Sequence, residues 1–401
     1  MTQQTKLARR ICEVQPSATL AVDAKARALQ AQGRDIIGFG VGEPDFDTPQ
    51  HIVAAAIKAM QSGDTKYSAK RGAELKKLIV EKLWRENGLE YKPENIIVSN
   101  GGKQSLYNLM QVLVDEGDEV IIPAPYWVSY VEQVRLAGGK PVIIETDEST
   151  AFKITPRQIE DVITKKSRLF IHNSPSNPTG TVYTPQEIRN IGAVIEKAGL
   201  YALSDEIYER LIYSDIHPLS LAAVSPALRQ HVVTVNGCSK TFAMTGWRIG
   251  WAAGPDDIIK AALKFQSHAT SDPAAFCQAG AAEAYAALTA STTVIADMKT
   301  QFNTRRQCMY TRLNQLKGVK CLEPLGAFYC FPNISGVFGR KLRDMPIQSP
   351  MDFCNAALEQ IGVALVPGEA FGSKQHVRIS YATSLELINQ GLNRLEKLLN
   401  D

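Results

Sequence analysis

Between residues 96 and 235, short β-branched runs alternate with stretches of helical periodicity, and this constrains the chain more than any other feature. The runs are 96–98 (IIV), 119–122 (EVII), 141–145 (PVIIE), 168–172 (RLFIH), 200–204 (LYALS) and 231–235 (HVVTV). Helical patterns fall at 103–114, 127–137, 156–164 and 185–198, and two more, 51–61 and 73–87, precede the series. Strand, helix, strand in sequence predicts right-handed crossovers and a mostly parallel sheet covered on both faces, the α/β class. From about residue 310 the texture changes. A helix over 291–317 leads into VKCLEP, GAFYCFPNI, a helix at 350–361, VALVPG, HVRISYAT and a final helix at 384–399. We therefore expect a large domain over 46–309 and a smaller α+β domain over 310–401. Residues 1–45 are expected to pack with the smaller one, because their strand-like IIGFGVG stands apart from the central series.

Composition excludes several classes. Hydrophobic residues make up 45% and charged residues 21% of 401, which is a globular balance rather than a disordered or coiled-coil one. Lys+Arg exceed Asp+Glu by 44 − 41 = 3, so no charge excess points to nucleic acid or a membrane surface. The seven cysteines form no C-x-x-C pair, which argues against a disulfide framework or a zinc site and for a reducing, cytoplasmic setting. No apolar run reaches the ~18–20 residues of a membrane span. The N-terminal MTQQTKLARRICEVQPSAT lacks the apolar core of a secretory signal.

In α/β sheets ligands bind beyond the carboxyl ends of the strands, so strand-to-helix junctions carry the most weight. Two nucleotide motifs fail there. Gly38-Phe39-Gly40-Val41-Gly42 is followed by Glu43 and is not G-x-G-x-x-G. In GGKQS, Lys103 is followed by Gln104, and Ile97 holds the place of a P-loop's first glycine. The strongest junction is Gly237-Cys238-Ser239-Lys240, after VVTVN. A lysine there is ordinarily solvated; desolvated, it becomes a neutral amine able to attack a carbonyl. Arg248, eight residues on, can hold a phosphate bidentately, and Ser239 adds a hydroxyl. Asp205 ends another run and can pair with a protonated ring nitrogen, with Tyr208 donating to a phenolate; the plainer role for Asp205 is a helix cap. Asn177 lies in NSPSNPTG, a stretch that is either a rigid turn or a placed amide donor.

Taken together, these junctions resemble those of class I pyridoxal 5′-phosphate (PLP) aminotransferases of fold type I, especially the bacterial and plastid aspartate aminotransferases, including aspartate/prephenate aminotransferases. The resemblance is carried by PSATLAVDAKA (16–26), GVGEPDFDTP (40–49), TKYSAKRG (65–72), VSNGGKQSL (98–106), IIPAPYWVSY (121–130), NSPSNPTG (173–180), SDEIYE (204–209), GCSKTFAMTGWRIGWAAGP (237–255), GAFY (326–329) and VRISYATS (377–384), in order along the chain.

It implies a large domain on a mostly parallel seven-stranded sheet, a smaller α+β domain and a PLP cofactor. It also implies transfer of the amino group of L-aspartate to 2-oxoglutarate in a ping-pong cycle, with prephenate as a further acceptor. The alternative is a lyase of the same fold, since fold alone does not choose the chemistry. Lys240 would carry PLP covalently and shuttle the proton between substrate Cα and C4′. Asp205 would keep the pyridine nitrogen protonated. Asn177 and Tyr208 would bond the 3′ oxygen, and Trp127 would stack on the ring. Arg248, Ser239 and the backbone amides of Gly101, Gly102 and Lys103 would hold the phosphate, since those amides open a helix. Arg378 would clamp the substrate α-carboxylate, with Gly42 beside it. Tyr67 would reach the phosphate from a second subunit, implying a homodimer with shared sites.

The chain departs from the pattern in three places. Gly237 stands where some relatives carry a phosphate-binding Ser or Thr. Asp272-Pro273 stands in a stretch, 267–278, that relatives keep small. No equivalent of the cross-subunit arginine that reads acidic side chains is visible. Lys103 is the expected substitute, reading the distal carboxylate of a dicarboxylic substrate, and Thr19 matches a threonine of the prephenate-using relatives.

Overall fold

The computed structural model describes residues 7–67, 69–288 and 293–400. Met1–Lys6, Ser68 of the TKYSAKRG stretch, and the first two residues of the helix expected over 291–317 lie outside the described residues. A seven-stranded sheet forms the centre. Its strands are β1 (Ile96–Asn100), β2 (Glu119–Ala124), β3 (Lys140–Glu145), β4 (Ser167–Asn173), β5 (Tyr201–Asp205), β6 (Val232–Gly237) and β7 (Ile249–Ala253). They lie in the order β1-β7-β6-β5-β4-β2-β3. All neighbours are parallel except β7, which runs antiparallel to both β1 and β6.

Alternation of side chains explains why the sheet is covered on both faces. Ile121, Phe170, Ala202 and Val232 join one buried cluster, while Val120, Leu169, Leu203 and Val233 join another. Successive residues of a strand point to opposite faces, so a run of apolar residues must meet a layer on each side. Fully burying each of these side chains other than Ala202 stabilises by about 1.5–3 kcal/mol. The covering helices start and stop where the sequence signals it. Helix Pro185–Ala198 opens with Thr184, whose hydroxyl accepts from the Glu187 amide, and closes at Gly199 in the left-handed conformation. Its inward face carries Ile188, Ile191, Val194 and Ile195.

One local expectation changes. The run RIGWAAGP (248–255) contains β7, a strand absent from the sequence series; it is short, and a glycine interrupts its apolar pattern. The stretch between β5 and β6, where the sequence shows no helical run, holds only the short helical turns Leu221–Ala223 and Pro226–Arg229.

A separate buried cluster gathers the C-terminal elements, including Phe302, Phe328, Phe353, Val377 and Leu395. Ile37 and Phe39 belong to it, because Ile37–Gly38 pairs in parallel with Val363–Ala364. A three-stranded sheet places Val377–Ser380 between Val366–Pro367 and Tyr329–Cys330. No helix among the described residues is long and apolar enough to cross a membrane.

Candidate active site

The carboxyl ends of the parallel strands open onto a cavity of about 270 Å³. Each strand delivers its residues just past its end. Gly102 and Lys103 open helix Gly102–Leu113 after β1, and Trp127 follows β2. Asn177 follows β4, Asp205 ends β5, and Tyr208 lies in the next turn. Ser239 and Lys240 occupy the four-residue helix Cys238–Thr241 directly after β6. Arg248 arrives by the reversal of β7: Gly250 pairs with Gly237 and Ile249 with Asn100, so an antiparallel strand begins where its neighbours end. Thr19, Gly42 and Arg378 reach the same cavity from the N-terminal and C-terminal parts of the chain.

The cavity carries opposite charges in close quarters. Lys240 donates to the Gly42 carbonyl. Burial, reinforced by Arg248 and Arg378, lowers its pKa to about 8, against the pull of Glu43 and Asp205. Asp205 is buried and accepts from two neutral donors, the Tyr130 hydroxyl at 2.7 Å and the Ile207 amide at 3.2 Å. Burial raises it to about 6, and the Tyr130 bond is the largest opposing influence. Arg378 donates to Asn177 Oδ1 at 3.0 Å and to the Gly40 carbonyl at 2.6 Å, between the rings of Tyr329 and Phe371. Its Nε is buried without a partner. The Lys103 ammonium stands over the Trp127 ring at 5.0 Å, its pKa lowered by burial and by Arg248.

Two glycines are required by close approach. Gly101 has φ of +86°, and a Cβ there would lie 2.2 Å from Arg248 Nη2. At Gly237 a Cβ would come within 2.8 Å of both the Gly250 Cα and the Ile249 carbonyl, which accounts for the missing Ser or Thr.

This junction set, on this sheet, matches the sequence model described as "Aminotransferase class I and II" over residues 34–395. The chain belongs to that family. The aspartate aminotransferase of Bacillus subtilis (strain 168) is 47% identical over 395 residues, covering 98% of this chain and 99% of that one. The aspartate/prephenate aminotransferase of Nitrosomonas europaea is 45% identical, covering 98% of this chain and 100% of that one. Among solved structures, the Rhizobium meliloti aspartate aminotransferase superposes with a TM-score of 0.94 at 41% identity, covering 99% of each chain.

This aminotransferase uses PLP, and its residues fit that cofactor. Asp205 is a buried carboxylate whose bonded donors are neutral, so a cationic ring nitrogen suits it. The Gly101–Arg248 cradle lies beside a helix N-terminus, where an anion is favoured. Of the three expected amides, those of Gly102 and Lys103 belong to residues that line the cavity, while the Gly101 amide donates to the Ser99 carbonyl at 2.7 Å. Tyr67 stands 98% exposed, away from this chain's own cavity.

Sequence reasoning missed Tyr130, Tyr329 and Asn173. Tyr130 lies three residues after Trp127 on the same turn of chain, and a buried hydroxyl beside Asp205 was the available clue. Tyr329 donates to or accepts from Tyr208 at 2.9 Å, and Asn173 donates to the Asp205 carbonyl at 3.0 Å. Their partners lie 121 and 32 residues away, beyond any local pattern.

Proposed function

We propose that this aminotransferase moves the amino group of L-aspartate to 2-oxoglutarate in two half-reactions, with prephenate as a second acceptor. The observation that carries this reading is a pair of cations on one cavity: Arg378, buried with a free Nε, and Lys103, held over Trp127. A dicarboxylic substrate satisfies both, Arg378 taking the α-carboxylate beside Gly42 and Lys103 the distal one. The names of the Bacillus and Nitrosomonas relatives agree, and Thr19 on the cavity supports the prephenate reading.

When bound, the protonated pyridine ring acts as an electron sink for the charge left at the substrate Cα. Asp205 would hold the proton on the ring nitrogen. Asn177 and Tyr208 would donate to the 3′ oxygen, and Trp127 would pack on the ring face. Arg248, Ser239 and the amides of Gly102 and Lys103 would hold the phosphate. Lys240 would anchor the cofactor and, as a neutral amine, would move the proton between the substrate Cα and C4′. Its lowered pKa supports that task, because near pH 8 an appreciable fraction is unprotonated.

We also propose a homodimer in which Tyr67 completes the partner's phosphate site. The near-complete exposure of Tyr67, with Trp84 61% and Ile57 45% exposed on neighbouring helices, supports this. The proposed division is a large domain over 46–309 and a small one over 310–401 joined by residues 1–45; the pairing of Ile37–Gly38 with Val363–Ala364 supports it. Seven free thiols support a cytoplasmic setting.

Mixing the protein with PLP, L-aspartate and 2-oxoglutarate should yield glutamate and oxaloacetate; pyruvate and ammonia from one amino acid would point to a lyase instead. Borohydride should fix the cofactor onto the peptide containing Lys240. Hybrid dimers of inactive Tyr67 and Lys240 variants should regain activity, and verified hybrids without it would refute the shared site.

A further inference from the structure

A buried ionic cluster with no part in the proposed chemistry lies beneath the cavity. Lys82, on helix Ala69–Asn87, is 2% exposed and pairs with Glu209. It also donates to Asn87 Oδ1 at 2.8 Å and lies 3.6 Å from Glu86. Glu209 accepts from Asn87 at 3.3 Å and from Asn236 Nδ2 at 2.8 Å. Asn236 in turn accepts from the Gly237 amide at 2.7 Å. Arg210 pairs with Glu86 on the outer side.

The placement of these residues gives the cluster its meaning. Glu209 directly follows Tyr208 and closes the turn that starts at Glu206, its amide donating to the Glu206 carbonyl at 3.0 Å. Asn236 is the penultimate residue of β6, and Gly237 caps the short helix that holds Ser239 and Lys240. One carboxylate therefore ties the segment of Asp205 and Tyr208 to the segment of Lys240. A buried pair of this kind is weak evidence for stability, since apolar replacements of similar volume often serve as well. A carboxylate that receives donors from two separate segments is better explained by geometry.

We propose that Glu209, held by Lys82 and bridged through Asn236, is a positioning residue that sets the Lys240 amine relative to Asp205 and Tyr208. The inference rests on the site reading above. It predicts that placement and stability respond separately. In Asn236→Ala the ion pair survives and only the bridge is lost. In the double variant Lys82→Met/Glu209→Met the charges are removed together and the space is refilled.

The test uses PLP-loaded protein and reads the pH midpoint of the bound cofactor's absorbance change, with thermal unfolding beside it. Both variants should shift that midpoint by roughly 0.5–1 pH unit, because charge and hydrogen-bond geometry set it. They should also lose roughly tenfold or more in kcat, as misplaced reacting groups do. The double variant should unfold at a higher temperature than Glu209→Gln, which leaves Lys82 buried beside a neutral amide. A wild-type midpoint in either Asn236→Ala or the double variant overturns the assignment. If the unsubstituted protein does not fix cofactor on Lys240, the site reading itself fails, whatever the variants do.

Discussion

Gly102, Lys103, Ser239 and Arg248 lie within a few residues of strands β1, β6 and β7, whereas Arg378 is gripped by Asn177 and the Gly40 carbonyl, 201 and 338 residues away in sequence. The first group is local. Each member sits at a strand terminus, Arg248 just before β7 begins and the others just past the end of β1 or β6, and backbone geometry then delivers it to the edge of the sheet. The second group is assembled from three distant parts of the chain and has no local logic. The difference teaches that the side of the cavity to which we assign the cofactor is set by local turns at strand termini, while the side to which we assign the substrate carboxylate depends on how the C-terminal elements settle against the sheet.

Substitutions can sharpen or break that contrast. The largest effect is expected from Asp205→Asn on the strand-end side. A neutral amide cannot hold the ring nitrogen's proton, so half-reaction rates should fall by at least about 10²-fold while the fold survives. Near-normal rates in a cofactor-loaded variant would end that role. On the assembled side, Arg378→Ala should cost roughly 10²-fold in kcat/KM, chiefly through KM, because charge-assisted bonds to the carboxylate are lost. A fall confined to kcat would argue that Arg378 acts on the chemistry instead.

Lys103 bridges the two sides. Lys103→Ala should lower kcat/KM for aspartate by roughly 10- to 100-fold and much less for a donor with no distal charge. Equal losses for both donors would assign Lys103 to the phosphate or the fold. The smallest effect concerns Tyr130. Burial raises Asp205 to about 6 and the Tyr130 hydroxyl pulls it down, so Tyr130→Phe should move the Asp205 midpoint upward. Asp205 is active when ionised and loses that state as pH falls through its pKa. In the cofactor-free protein the Asp205 carboxyl should therefore titrate at higher pH in Tyr130→Phe than in the unsubstituted chain, and the loaded variant should lose only modestly in kcat. An unmoved Asp205 midpoint would show that Tyr130 only fills space.

The sheet was legible because its strands are buried on both faces. Runs such as Leu169–Ile171 have to be apolar throughout, and the helices between them carry their own start and stop residues. β7 was not legible. Its sequence is short and interrupted by Gly250, and only pairing with Asn100 and Gly237 makes it a strand. The same contrast runs through the site. Lys240 and Asp205 stand out as charged residues closing or following apolar runs, and Arg248 by its place eight residues after Lys240. Tyr130 and Tyr329 are aromatic residues in apolar surroundings, where packing alone would account for them.

The sequence by itself determined the α/β alternation, the family and the residues at strand ends, because hydrophobic periodicity and turn chemistry are local and repeat along the chain. Tertiary structure alone decided that Arg248 reaches the Lys240 cavity through a reversed strand, that Gly237 has no room for a side chain, and that Glu209 joins the segment of Tyr208 to that of Lys240. Those facts depend on which surfaces meet, and contacts between residues far apart in sequence leave no periodic trace in it.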